Sequence, residues 1–114
     1  MDILLTHGYF LHEDPHELKV MKPYPPLGIL YNAAYLKRAG FAVGVFDTTF
    51  SSLADFEAYV QRERPSVVGI YTNLMTKFNV LKMIAVCNSV GATVVLGGPE
   101  PVNYAEEYLT RGAD

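Results

Sequence analysis

The sequence contains a single cysteine, Cys87, so the 114 residues hold no internal disulfide and no cysteine-based metal site. Basic residues form no run and the formal net charge is −3, which argues against nucleic-acid binding through phosphate neutralisation. No apolar run approaches the ~20 residues that span a bilayer. The first ten residues include an acid and lack a positively charged flank, so they do not form a typical signal peptide. We expect a soluble, cytoplasmic protein.

Several catalytic and phosphate-binding motifs are also missing. The sequence has neither G-x-G-x-x-G nor GxxxxGK[ST], the glycine-rich loops that cradle phosphates. The first strand is followed by no Ser/Thr-dense loop of the kind that binds a flavin mononucleotide. No pair of carboxylates and no Ser/His/Asp set indicates independent catalysis. These absences exclude several common uses of an α/β fold and give no sign of independent catalysis.

The apolar pattern predicts an α/β fold with a parallel sheet. Half of the residues are hydrophobic and 18% are charged, as in one globular domain, which we place at residues 1–114. Four apolar runs without strict alternation are typical of parallel strands covered on both faces. These predicted strands are residues 2–6, 42–47, 66–72 and 92–96. Helical patterns follow each of them, at residues 27–39, 53–63, 77–90 and 101–112, and this alternation predicts helices on both faces of the sheet.

Local signals predict details of these helices. Leu27, Leu30, Ala33 and Ala34 share the apolar face of the first helix. Thr76 is a plausible cap of the third helix, and Pro101 suits the first position of the fourth. Cys87 falls inside the apolar pattern of the third helix, where it is expected to be a small core residue.

Two segments depart from the regular pattern. Residues 7–26 separate the first strand from the first helix, whereas such loops usually have about two to six residues, so this loop is either functional or mobile. The sequence closes at Gly112-Ala113-Asp114, where a fifth strand would begin. Since doubly wound domains commonly have five strands, we expect a fragment of a longer protein.

A ligand site is expected beyond the carboxyl ends of the strands. There Gly97 and Gly98 interrupt the stretch VVLGGPEPV, and missing side chains would let a flat ligand lie on the backbone. The alternative is that the pair merely turns the chain. Thr72 and Asn73 follow the third strand, where they could hold the polar edge of a ligand or cap the third helix. Glu100 suits the positive end of the fourth helix.

Three segments carry a resemblance to a known family. They are MKPYPPLGILYNAAYLKRAGFAVGVFDTT, PSVVGIYTNL and GATVVLGGPEPVNYAEEYLTRGAD. The sequence resembles the N-terminal cobalamin-binding domain of cobalamin-dependent radical SAM enzymes, in particular the subfamily of the anaerobic magnesium-protoporphyrin monomethyl ester oxidative cyclase. The resemblance implies a flavodoxin-like sheet of order 2-1-3-4-5 whose fifth strand is missing here. It also implies a cobalamin site lined by Thr6, Leu27, Gly28, Thr72, Asn73, Leu74, Gly97, Gly98, Pro99 and Glu100.

The resemblance further implies the setting in which this domain works. A C-terminal radical SAM domain of the same chain would hold a 4Fe-4S cluster, bind S-adenosylmethionine and act on a small-molecule substrate by methyl transfer or oxidative cyclisation. The fragment itself would not be catalytic. The wider cobalamin family has the signatures GG, SxL and DxHxxG. Gly97-Gly98 matches the first, and Thr72-Asn73-Leu74 matches the second with threonine for serine.

The third signature is not matched. The stretch from Asp14 to Lys19 has an aspartate and His16 but ends in lysine rather than glycine. Radical SAM relatives typically lack this histidine ligand, so the lower face of cobalt is expected to be open or to bind water. His7 and His12 have no support as ligands.

Two other functions stay open. One is a cobalamin-free, Rossmann-like scaffold for substrate docking or contact between domains. The other is an α/β domain of an enzyme acting on a nucleotide sugar or another small molecule. That second function would require a basic residue aimed at a phosphate, and the strand tips contain none.

Overall fold

Four parallel strands form one sheet. The computed structural model describes residues 1–14 and 26–114. The strands are β1 (Ile3–His7), β2 (Val43–Phe46), β3 (Val67–Tyr71) and β4 (Thr93–Gly97). Their order in space is β2-β1-β3-β4, with each neighbouring pair parallel. The predicted α/β fold and the first four strands of the expected order are confirmed.

A helix follows each strand, as the alternating pattern predicts. The helices are α1 (Leu27–Arg38), α2 (Leu53–Glu63), α3 (Lys77–Ser89) and α4 (Pro99–Thr110). Short 3₁₀ turns at Leu11–Glu13, Thr48–Phe50 and Leu74–Thr76 lie beyond the carboxyl ends of β1, β2 and β3. Polar and aromatic residues beyond these strands are therefore held in ordered turns.

The core lies on one face of the sheet. Side chains alternate between the two faces of a strand, and Leu4, Val68 and Val94 all point to the face that is fully buried. They pack against residues of α2, α3 and α4 in one cluster. Cys87 of α3 belongs to that cluster, as expected, and burial raises the pKa of its thiol to about 12.

The opposite face of the sheet is covered differently. Here α1 contacts β1 and β2, and it buries Ile29 and Ala33. Leu27 and Leu30, which the sequence pattern placed on the apolar face, are instead exposed. The periodicity of apolar residues identifies an apolar stripe on a helix, but it does not determine which edge of the stripe contacts the sheet. Helix α1 is rotated so that Leu27 lies at the rim of an open cavity.

The start of α3 also differs from the prediction. Thr76 makes no side-chain capping bond to the first turn of α3. Instead, Asn73 caps the preceding 3₁₀ turn, because its Oδ1 accepts from the Thr76 amide at 3.0 Å while the Asn73 amide donates to Thr76 Oγ1 at 3.2 Å. This reciprocal capping box fixes the backbone just beyond β3.

Helix α4 begins two residues earlier than the sequence predicted. Its first residue is Pro99, not Pro101, because Gly98 has φ +100° and ends the extended backbone of β4. Glu100 is therefore inside the first turn, where it is 6% exposed and its Oε1 lies 3.7 Å from Lys77 Nζ. A non-helical residue, Tyr104 (φ −133°, ψ 36°), kinks the helix.

The packing of the core predicts that two phenylalanines contribute very differently to the free energy of unfolding. Phe56 is fully buried and packs edge-on against Phe46, with ring centroids 5.6 Å apart. We expect Phe56→Ala to lower the free energy of unfolding by about 3–5 kcal/mol, because it removes apolar contacts and leaves a cavity. Phe50 is 72% exposed, so Phe50→Ala should change it by less than about 0.5 kcal/mol. Urea unfolding followed by circular dichroism measures both, and equal losses would contradict the assigned core.

Candidate functional site

A large cavity opens between α1 and the carboxyl edge of the sheet. Its volume is about 1090 Å³. The floor includes Leu5, Gly69 and Val95, which are register partners on neighbouring strands. The first turn of α1 forms a side wall. The cavity therefore lies where ligands bind in open α/β sheets.

The two glycines after β4 have different reasons for lacking a side chain. A Cβ on Gly98 would collide with the Thr72 carbonyl oxygen, and its φ of +100° disfavours any other residue. Gly97 has no such constraint, because a Cβ built on it meets no atom within 4 Å and points into open space. Both residues line the cavity. Folding accounts for Gly98, whereas it does not account for the bare backbone at Gly97.

A second bare position faces the same cavity. Gly28 lies in the first turn of α1 and lines the cavity, and a Cβ built on it meets no atom of the described residues within 4 Å. Glycine in a helix costs roughly 1 kcal/mol relative to alanine. Since no packing contact requires Gly28, its absent side chain is unexplained by the fold and instead enlarges the cavity.

A histidine and an aspartate form a polar wall beside the cavity. His7, at the end of β1, is buried and lines the cavity. Its Nδ1 accepts a hydrogen bond from the Tyr9 amide at 3.1 Å, so Nε2 carries the proton and donates to Asp47 Oδ1 at 2.8 Å. Both ring nitrogens are therefore engaged within the protein.

The carboxylate of Asp47 collects further bonds. Its Oδ1 also accepts from the Thr49 hydroxyl at 2.7 Å and from the Thr49 amide at 3.0 Å. Burial by itself would raise the pKa of Asp47, but these bonds and the contact with His7 outweigh it and hold the pKa below its usual value. Asp47 stays ionised and orients the imidazole that faces the cavity.

This cavity belongs to a domain of a known type. The family model of the B12 binding domain matches residues 18–114, which is most of the chain. The chain belongs to the B12-binding domain family. No curated protein and no solved structure gives a significant match to it.

Six of the ten residues predicted to bind cobalamin line the cavity of this B12-binding domain. They are Thr6, Leu27, Gly28, Asn73, Gly97 and Gly98. The Thr6 hydroxyl is already engaged, because it donates to the Phe46 carbonyl oxygen at 2.7 Å. Asn73 uses its Oδ1 in the capping box described above.

The other four predicted residues lie outside the cavity lining. Thr72 is fully buried, with its hydroxyl 3.4 Å from the Ile70 carbonyl oxygen. Leu74 and Pro99 are exposed next to the cavity. Glu100 is buried against Lys77. The rest of the Asp14-to-Lys19 stretch and Pro25 fall within residues 15–25, outside the described part of the chain.

The cavity residues that sequence reasoning did not assign to the site include three polar ones. They are His7, Thr49 and Asn32. His7 and Asp47 are 40 positions apart, so no local motif connects them. Asn32 could have been found as a polar residue one turn after Gly28, on the same face of α1.

Across residues 1–14 and 26–114, no helix is long and apolar enough to cross a membrane. The same residues contain no cluster of three or more His, Cys, Asp or Glu side chains that could hold a metal ion.

The His7–Asp47 contact predicts a pH-dependent stability. We expect Asp47→Asn to lower the free energy of unfolding by roughly 1 kcal/mol at pH 7, since neutral hydrogen bonds replace charge-assisted ones. Because folding lowers the pKa of Asp47, this stabilisation is fully present above the unfolded pKa of about 4 and is lost as the pH falls through the folded value.

Urea unfolding of both proteins from pH 7 to pH 3 tests this expectation. The difference between wild type and Asp47→Asn should be constant down to about pH 5 and then shrink. Glu57→Gln, at an exposed carboxylate of α2, is the control and should differ from wild type by less than about 0.5 kcal/mol. A difference that persists undiminished at pH 3 would contradict the role given to the Asp47 charge.

Proposed function

We propose that this domain binds a cobalamin-type corrinoid in the cavity and presents its cobalt to a radical SAM domain. The observation that supports corrinoid binding best is the pair of bare positions Gly28 and Gly97. Both face the cavity, and neither is required by packing. A broad, flat ligand that contacts backbone directly explains why side chains are absent from both.

The dimensions and charge of the cavity fit such a ligand. Its volume of about 1090 Å³ exceeds the usual range of about 300–1000 Å³ for small-molecule pockets. Among the described residues that line it, none is lysine or arginine. A nucleotide sugar, with its multiply charged diphosphate, would lack a counter-charge there. The enzyme alternative considered from the sequence therefore has less support than a large, mostly neutral ligand.

Among the described residues, neither histidine is placed to donate a nitrogen to cobalt. His7 has both ring nitrogens engaged, with the Tyr9 amide and with Asp47, so it could coordinate a metal only by breaking these bonds. His12 does not line the cavity. When bound, the corrinoid would supply the cobalt chemistry, while Gly28, Gly97 and the His7 wall would orient it.

The proposed radical SAM partnership has separate support. Three large apolar side chains beside the cavity are unusually exposed, namely Leu74 (71%), Met75 (88%) and Phe78 (76%). Exposed apolar clusters of this kind are typical of surfaces that another domain covers. Together with the sequence resemblance, this cluster favours a catalytic domain seated over the mouth of the cavity, carrying a 4Fe-4S cluster and S-adenosylmethionine.

A titration with hydroxocobalamin tests corrinoid binding. Wild type should perturb the absorption spectrum of hydroxocobalamin saturably and retain it on gel filtration. Gly97→Leu should weaken binding by at least about tenfold, because the new side chain fills the cavity, while the free energy of unfolding stays within about 0.5 kcal/mol of wild type. Ala34→Leu adds similar bulk to an exposed position of α1 outside the cavity and should bind like wild type.

Gly98→Ala should behave differently from Gly97→Leu. It should lower the free energy of unfolding by about 1–3 kcal/mol, because the backbone there is left-handed and touches Thr72.

If wild type neither changes the spectrum nor retains hydroxocobalamin, the cobalamin-free scaffold replaces corrinoid binding as the function. Normal binding by Gly97→Leu would exclude this cavity as the site.

The radical SAM partnership is tested on the full-length product of the gene. We expect its sequence to contain CxxxCxxC and the purified protein, after anaerobic reconstitution with iron and sulfide, to cleave S-adenosylmethionine reductively. Residues 1–114 expressed alone serve as the control and should show no cleavage. A full-length protein without that motif and without cleavage would refute the partnership while leaving corrinoid binding intact.

A further inference from the structure

Most polar side chains that line the cavity already have partners inside the protein. His7 and Thr49 are engaged with Asp47, and Thr6 donates to the Phe46 carbonyl oxygen. Thr76 accepts from the Asn73 amide. These groups shape the wall, but they have little hydrogen-bonding capacity left for a ligand.

Asn32 is different. It lines the cavity from α1, and it has no hydrogen-bond partner within the described chain. It follows Gly28 by four residues, about one helical turn, so its side chain lies on the same face, above the position where Gly28 leaves space. Its amide offers two N–H donors and one acceptor oxygen.

Asparagine is also a poor choice for this position on local grounds. In a helix interior it is less favourable than alanine by up to about 0.7 kcal/mol. A capping bond often explains such a residue, but Asn32 lies in the middle of Leu27–Arg38 and makes none. Asn32 is exposed, so the fold accepts a polar side chain at this position without specifying asparagine.

The neighbouring groups indicate the chemistry that Asn32 would meet. Besides Asn32, the cavity presents the hydroxyl of Tyr71 and the Nδ2 of Asn73, which have no partner among the described residues. Among the described lining residues there is no lysine or arginine, and neutral donors and acceptors of this kind suit a carboxamide, which both donates and accepts, better than a carboxylate.

We propose that Asn32 is a specificity residue that pairs with a carboxamide arm of the corrin ring, so that the domain selects amidated corrinoids over their carboxylate counterparts. This inference rests on the proposed corrinoid binding. Two amides can exchange two hydrogen bonds, one in each direction, whereas a carboxylate accepts but does not donate. Pairing with a carboxylate would leave the Asn32 oxygen without a partner.

The test compares two corrinoids on the intact domain, cobinamide, whose arms are amides, and cobyrinic acid, whose arms are carboxylates. Wild type should prefer cobinamide. Asn32→Ala should weaken the binding of cobinamide by about five- to tenfold. It should change the affinity for cobyrinic acid much less, so that the ratio of the two affinities falls. Asn32→Asp, which keeps the size of the side chain but loses both N–H donors, should weaken the binding of cobinamide at least as much. Asn103→Asp, at an exposed position of α4 outside the cavity, is the matched control and should leave both affinities unchanged.

The ratio of the two dissociation constants separates recognition from a structural effect. Equal weakening of both corrinoids by Asn32→Ala, or no change in either, would overturn the role of Asn32 while corrinoid binding stands. If wild type binds neither corrinoid, the proposed function itself fails and this inference fails with it.

Discussion

The close contact between the ends of β3 and β4 determines the shape of this domain's functional edge. The Thr72 amide donates to the Gly97 carbonyl oxygen at 2.8 Å, and this bond holds the next residue directly against the Thr72 backbone. Only glycine fits there, because a Cβ on Gly98 would meet the Thr72 carbonyl oxygen. The chain then turns at once into α4, leaving Gly97 with an open face above the cavity. The missing side chain at Gly98 therefore follows from one backbone contact, whereas the missing side chain at Gly97 does not.

The ion pairs of Lys77 hold the helix that begins at this contact. Its Nζ lies 2.9 Å from Glu107 Oε2 and 3.7 Å from Glu100 Oε1, so one ammonium joins two carboxylates on opposite sides of the kink at Tyr104. The bond to Glu107 raises the pKa of Lys77, against an opposing effect of burial, and Glu100 adds to the increase. Because α4 is not continuous across the kink, these pairs tie both of its halves to α3 and keep the turn at Gly98 in place.

The sequence predicted the sheet well because parallel strands buried on both faces leave continuous apolar runs. It was less successful where the outcome depends on tertiary contacts. The exposure of Leu27 depends on how α1 rotates over the sheet, and the start of α4 depends on the positive φ of Gly98 rather than on a proline. For the site, the pattern singled out Gly97 and Gly98, and both line the cavity. Their separate reasons became clear only when the neighbours of each Cβ position were known.

The hydrogen bonds in the cavity wall indicate that the protein would bind and orient a cofactor, while the cofactor would supply the chemistry. The most reactive side chain in the lining, His7, is immobilised by bonds at both nitrogens, and the Asp47 charge beside it is balanced by three donors on one oxygen. Groups held in this way cannot transfer protons or coordinate a metal without breaking the hydrogen bonds that fix them in the cavity wall. Among the described residues, the surfaces left for a ligand are mainly bare backbone, apolar side chains and neutral polar groups, which would position a molecule without altering its reactivity. On the proposed function, such a site is suited to hold a cofactor whose own metal centre does the chemistry, beside a buried His7 that is oriented by the partly exposed Asp47.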